Sequence, residues 1–394
     1  MLPLEGVTVV ALEQAVAAPL ATRNLADLGA RVIKVERVDG GDLARGYDHV
    51  VHGSASHFVW LNRGKESLAV DLKSEQGADA VRSLIAKSDV VVQNPAPGAA
   101  ARLGLDAESL RADHDELIVV TMSGYGAGGP FAHHKAYDML IQAESGLISL
   151  TGTPEHPAKT GIPTSDIAAG MYASQAVLAA LVRRGVSGVG AAIDVSMLEA
   201  TVEWMGHALY TQLYAGAPPP RMGVSHAAIA PYDAYPTSDG QMLIGVQSDP
   251  GWRDLVIKAL DAPELADDER FTTNVLRVRH RTDCDAAVAE RTRRYTTAEL
   301  ADRLLDAGVP AAQLKEIGDV IDHPQLQARD RWRTVTTESA TIEALLPPAT
   351  FDDFEAPMGE VPALGQHTRA LLGEAGLTGA QIDAMVAGGV AAQR

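Results

Sequence analysis

Short aliphatic runs recur along the first half of the chain, separated by longer stretches that mix apolar and polar positions. Gly6–Leu12 (GVTVVAL) is a continuous apolar run and predicts a buried strand. APLATRNLADLG follows it, with Pro19 near the start and Gly29 at the end, the punctuation of a helix. Ala30–Glu36 (ARVIKVE) predicts a second strand, SLAVDL, DVVVQN and ELIVVTMSG predict three more, and SEQGADAVRSLIAKS predicts a helix among them. Strands joined through helices run parallel, so the pattern predicts an α/β protein whose large domain is Rossmann-like and doubly wound. Pro163–Arg184 then reads as a long helix of small and apolar residues, and VGAAIDVSMLEA as a strand running into another helix.

The pattern breaks at YAGAPPPRMG, where three consecutive prolines favour extended, semi-rigid chain. PYDAYPTSDGQMLIGVQS reads as two strands joined by a turn at Ser238–Gly240, and helices are expected around Trp252–Leu260, Arg279–Thr292 and Thr297–Ala307. From about Pro324 the composition shifts again, ending in a helical TRALLGEAGLTGAQIDAMVAGG. These changes predict a large domain over 1–213, a linker over 214–224, a smaller α+β domain over 225–318, and a return to the large domain over 319–394.

Composition narrows the function. The 394 residues carry a net charge of −18, which argues against a nucleic-acid partner. The single cysteine, Cys284, precludes an intrachain disulfide, and the N-terminal apolar run lacks the basic start of a signal peptide. The uncharged stretch Ile167–Val182 is short for a membrane span. A cytoplasmic protein with no membrane partner is the expectation. The histidines show no metal-ligand spacing. The turn after the first strand, EQAVAAP, lacks the glycines that admit a dinucleotide pyrophosphate, so neither metal nor NAD is expected.

One carboxylate stands out. Asp166 sits at the mouth of the long apolar helix, where it suits two roles: an N-cap, or a functional carboxylate in a closed site. Upstream, SGYGAGGP is glycine-rich, with Lys135, Tyr137 and Asp138 close behind. Glycines let backbone approach a ligand, and Lys135 suits a phosphate or carboxylate.

Taken in order, PLEGVTVVALEQAVAAPLATRNLADLGARVIKVERVDGGDLAR, NRGKESLAVDLKSEQG, DVVVQNPAPGAAARLGL, SGYGAGGP, AYDMLIQAESGLISLTG, SDIAAGMYASQAVLAAL, GAAIDVSMLEA, DGQMLIGV, AGVPAAQL and PALGQHTRALL resemble the family III CoA-transferases, which include formyl-CoA and carnitine CoA-transferases. The resemblance covers essentially the whole chain. It implies an interlocked homodimer of ring-shaped subunits, with an acyl-CoA and a carboxylic acid as substrates and coenzyme A as the carried group. It makes Asp166 the catalytic residue. It places Val16, Ala17, Arg37, Val70, Asp71, Leu72, Lys73, Asn94, Pro95, Ala96, Arg102, Lys135, Ala136, Tyr137 and Asp138 around CoA and the acyl group.

The implied chemistry is covalent. A carboxylate with the usual Asp pKa of about 3.9 is ionised at neutral pH and attacks a thioester to give a mixed anhydride. CoA thiolate then attacks the aspartyl carbonyl, leaving an aspartyl-CoA thioester, and a second acid reverses the steps. Such intermediates require exclusion of water, and small residues Ala168, Ala169 and Gly170 would let the helix pack tightly around the site. The chain departs from relatives in three places. Val16 stands where some have Gln, Pro95 where many have Phe, and MGVSHAAIAPYDAY where formyl-CoA-type enzymes have a glycine-rich loop. These differences weaken a formyl or oxalyl assignment. Two alternatives compete with transfer. A 2-methylacyl-CoA racemase or epimerase needs a His before the Asp of the YD pair, where this chain has Tyr137. A non-catalytic acyl-CoA-binding protein would not need Asp166.

Overall fold

The computed structural model describes residues 1–112 and 114–394. It divides into two compact units: one of Met1–Leu147, Lys159–Gly206 and Ala328–Arg394, the other of Ile148–Ala158 and His207–Gln327. In the larger unit six strands run parallel: β1 (Thr8–Leu12), β2 (Arg31–Glu36), β3 (Lys65–Val70), β4 (Val90–Gln93), β5 (Ile118–Ser123) and β6 (Ala192–Ser196). Their order is β3-β2-β1-β4-β5-β6, so the winding reverses between β1 and β4. A two-residue C-terminal strand, Ala391–Ala392, adds antiparallel to β3.

Side chains alternate across the sheet, and both faces are covered. Val9, Ala11, Val90, Val92, Ile118 and Val120 pack with helices Ala17–Asp27 and Thr164–Ser187. Val10, Val91 and Val119 face the other way, against helices Glu75–Ile85, Thr368–Glu374 and Gly379–Ala387. The smaller unit contains an antiparallel sheet of β7 (Tyr232–Pro236), β8 (Gln241–Gly245) and β9 (Ala311–Gln313). The expected turn joins β7 to β8, and a cluster around Trp252, Phe271 and Leu300 forms this unit's core. A hairpin of β10 (Trp332–Thr336) and β11 (Thr341–Leu345) belongs to the larger unit and has no counterpart in the sequence reading. The C-terminal helical stretch is two helices rather than one.

The Thr164–Ser187 helix is longer than the apolar run it contains. Over its 24 residues it is long and apolar enough to cross a membrane, which corrects the expectation of a short segment. In this fold its small residues Ala168, Ala169, Gly170 and Ala173 are buried. Gly170 shows why they must be small. A Cβ there would lie 2.6 Å from the Ala17 carbonyl oxygen and 3.1 Å from Leu20. The two helices therefore approach to near backbone contact, and this puts the Asp166 end of one beside the Ala17 end of the other.

Candidate active site

In an open parallel sheet a ligand crevice forms outside the carboxyl ends of the strands, where the winding reverses. Here a cleft of about 530 Å³ opens at that place. Gln14 after β1, Arg37 and Asp39 after β2, Val70–Lys73 after β3 and Gln93–Pro95 after β4 line it. Leu103 and Leu105 supply an apolar wall. Arg37 uses its Nε on the Gly41 carbonyl at 3.0 Å, and Lys73 is exposed. These two cations suit the phosphates of a nucleotide-bearing co-substrate.

Asp166 lies in the first turn of its helix, but it is not the cap. Pro163 occupies the cap position and offers no side-chain bond. The exposed backbone donors are taken by another acid: Asp138 Oδ1 accepts the N–H of Ser165 at 2.8 Å and of Asp166 at 3.2 Å. Asp138 Oδ2 in turn accepts Gln142 Nε2 at 2.7 Å. Asp138 thus does the work expected of an N-cap, and the Asp166 carboxylate is spared for other use. The Ala17 N–H, at the start of the neighbouring helix, lies near enough to act on it. Two helix N-termini therefore meet at one carboxylate, an arrangement that favours negative charge.

The sequence-based expectation of an ordinary Asp pKa is overturned here. Burial, followed by the nearby Asp138 carboxylate, pushes Asp166 up to about 7, against the lowering effect of the Ala17 N–H. Among the described groups acting on it there is no cation.

The loop that presents Ala17 rests on charges that the sequence reading missed. Glu13, at the end of β1, accepts from Lys65 Nζ at 2.6 Å, Lys34 Nζ at 3.3 Å and Thr22 Oγ1 at 2.6 Å. Lys34 also donates to Asp42 at 2.7 Å. The side chains of Glu13, Lys34, Lys65 and Asp42 sit in a fully buried cluster of two acids and two ammonium groups. Burial alone would raise Glu13, but Lys65 and Lys34 outweigh it and hold the group below the usual range. Burial likewise works against Lys34, yet its acidic neighbours keep it raised. Beside this cluster Arg45 grips Glu36 through two bonds of 2.8 Å. Ala15 stands at φ +65°, a left-handed conformation that costs a residue with a Cβ about 1–2 kcal/mol.

Of the residues named by resemblance, Arg37, Val70, Asp71, Leu72, Lys73, Asn94 and Pro95 share the cleft. Val16 and Ala17 are buried beside the Asp166 helix, while Ala96 and Arg102 are exposed near the cleft rather than among its lining residues. Lys135 and Tyr137 are exposed, and Ala136 packs under Gly124, where an added Cβ would lie 2.1 Å from its own. Tyr47 was not anticipated. Partial burial raises its phenol, and the charges of Asp42 and Asp166 push it further, which puts Tyr47 within electrostatic reach of both. Its ring meets His57 edge-on at 5.6 Å. An exposed aromatic in YDHVVHG carries no local signal of that proximity.

Comparison with known proteins agrees over nearly the whole chain. The model of CoA-transferase family III matches residues 4–368. The chain is 34% identical to succinate–glutarate CoA-transferase of Agrobacterium fabrum, over 94% of this chain and 95% of that one. It is 34% identical to human succinyl-CoA:glutarate CoA-transferase, over 94% and 86% of the two chains. A solved CaiB/BaiF family protein from Brucella suis superposes with a TM-score of 0.83 at 35% identity, covering 95% of this chain and 99% of that one. With a cleft at the winding reversal and an uncapped carboxylate between two helix ends, the chain is an enzyme and belongs to the family III CoA-transferases, which use CoA thioesters as co-substrates.

Proposed function

We propose that this enzyme exchanges CoA between small dicarboxylic acids, with Asp166 as the covalent carrier. The observation that carries the reading is the division of labour between two acids. Asp138 caps the helix, while the Asp166 carboxylate takes no part in capping and has the Ala17 N–H nearby. The relatives named for succinate–glutarate and succinyl-CoA:mesaconate transfer support a dicarboxylate pair.

In the first step an Asp166 oxygen attacks the thioester carbonyl, and the C–S bond breaks to give a mixed anhydride and CoA thiolate. The thiolate then attacks the Asp166 carbonyl carbon, and the C–O bond of the anhydride breaks to release the donor acid. Entry of the acceptor acid reverses both steps. Each nucleophile is an anion and each leaving group leaves as one, so no proton transfer is needed. Arg37, Lys73 and Arg102 are the groups we assign to CoA phosphates, with Lys135 nearer the acyl end. We also propose a cytoplasmic homodimer. Val182 and Val186 on the Asp166 helix, and separately Tyr210, Leu213 and Tyr214, are exposed apolar side chains of the kind a partner subunit covers.

Incubation with succinyl-CoA, quenching and mass analysis of the Asp166 peptide tests the mechanism. Addition of CoA to that peptide is expected. Exchange between succinyl-CoA and free glutarate without any such adduct would sink it. Exchange of the α-proton with deuterated water in place of transfer would point to a racemase instead.

A further inference from the structure

The loop from Glu13 to Ala17 is tied at successive residues, and each tie reaches a different element. The Glu13 carboxylate is held by Lys34, Lys65 and Thr22. Gln14 is bracketed by Asn94, whose Oδ1 accepts its N–H at 2.9 Å and whose Nδ2 donates to its carbonyl at 2.9 Å. The N–H of Ala15, at φ +65°, is accepted by Asp42 Oδ1 at 2.9 Å. The same Asp42 receives Lys34 through its other oxygen and caps the 3₁₀ turn Leu43–Gly46 through the Ala44 N–H at 2.9 Å. Two residues after Ala15 comes Ala17, at the helix end that packs on the Asp166 helix so closely that a Cβ at Gly170 would lie 2.6 Å from the Ala17 carbonyl oxygen, and its N–H lies near enough to act on Asp166. A left-handed alanine persists only where its surroundings dictate it, and Asp42 is the side chain that does so.

We infer that Asp42, braced by Lys34 and the Glu13–Lys65 pair, is a positioning residue that keeps the Ala17 N–H aimed at the oxygen developing on the Asp166 carbonyl. The inference rests on Asp166 being the acyl carrier. When thiolate attacks the Asp166 carbonyl carbon, the C–S bond forms and the carbonyl electrons move onto oxygen. A donor already in place stabilises that oxyanion without reorganising. Collapse of the adduct re-forms the carbonyl and expels the donor carboxylate.

Two double variants separate this role from a structural one. Lys34→Met with Asp42→Leu replaces the Lys34–Asp42 ion pair by apolar groups of similar size, a change that proteins often tolerate, and leaves Glu13 paired with Lys65 alone. Lys34→Met with Asp42→Asn also removes both charges but keeps an oxygen for the Ala15 N–H. The leucine pair is expected to lose about 100-fold in kcat, with KM for succinyl-CoA changed less than about 3-fold, and the asparagine pair to recover to within about 5-fold of wild type. The rate at which CoA mass appears on the Asp166 peptide should follow kcat. Thr22→Val gives a second measurement without unpairing a charge, and kcat about 5-fold down at constant KM is expected. Equal kcat in the two double variants overturns the inference, as does an unchanged Thr22→Val enzyme should the leucine pair fail to fold. If the wild type itself shows no adduct, the assignment of Asp166 fails first, and the two failures are distinguishable.

Discussion

Two groups of buried acids lie close together in the larger unit and behave in opposite ways. Around β1 and β2, Glu13 and Glu36 are surrounded by Lys34, Lys65 and Arg45, and both are held below the usual carboxylate range, Glu36 at about 2 despite its burial. At the helix junction Asp166 has another acid and one backbone N–H nearby, with no cation among the described groups that act on it, and rises to about 7. The lesson is that burial alone does not fix a carboxylate's role; its partners do. Acids given cations hold the scaffold, and the acid denied one is the residue proposed to react.

That contrast can be broken from either side. The largest effect is expected from Asp166→Ala, which removes the proposed acyl carrier; transfer should fall by about 10⁴-fold or more in a CoA-exchange assay while the fold survives. Lys65→Met leaves Glu13 with an uncompensated share of buried charge, and denaturant unfolding should show a loss of about 3–5 kcal/mol.

The pH trends should also oppose each other. Glu36 is lowered in the folded state, so its contribution is present above its unfolded value and is lost as pH falls through about 2. Asp166 is raised, so the folded state holds its proton more tightly. The resulting penalty grows as pH climbs from about 4 through about 7, reaching at most about 4 kcal/mol. Asp166→Asn should therefore be more stable than wild type at pH 8, with the gap closing near pH 4. The smallest change is expected in Asp138→Asn, which keeps an oxygen for the Ser165 N–H but removes the repelling charge. The acid limb of kcat/KM, expected near pH 7 in the wild type, should move to lower pH; an unmoved limb would show that burial alone sets it.

How much of this was legible beforehand follows from what makes a local signal. β1, β4 and β5 are built on continuous apolar runs, β2 is apolar but for Lys34 and its ends, and the Asp166 helix has its carboxylate at a recognisable entrance, so periodicity and punctuation reveal them. The two-residue C-terminal strand is too short to leave a pattern, and it exists only because β3 offers it an edge. The buried cluster was hidden for another reason. Its members Glu13, Lys34, Lys65 and Asp42 are brought together by the sheet across 21 and 52 positions, and no local spacing records that. One clue was present: Lys34 interrupts VIKVE, a run expected to be buried on both sides, where a lone ammonium requires a partner. The capping of the Asp166 helix by Asp138 was likewise unreadable, since the acid that caps lies 28 positions upstream of the acid that it spares.

The last strand has a practical side. Val390 accepts the Asp71 N–H at 2.8 Å, and Ala391 and Ala392 pair with Val70 and Ala69, so the tail braces the wall of the cleft. A purification handle fused beyond Arg394 would begin two residues from that brace and pull on it. Met1, fully exposed, is the end on which to attach one.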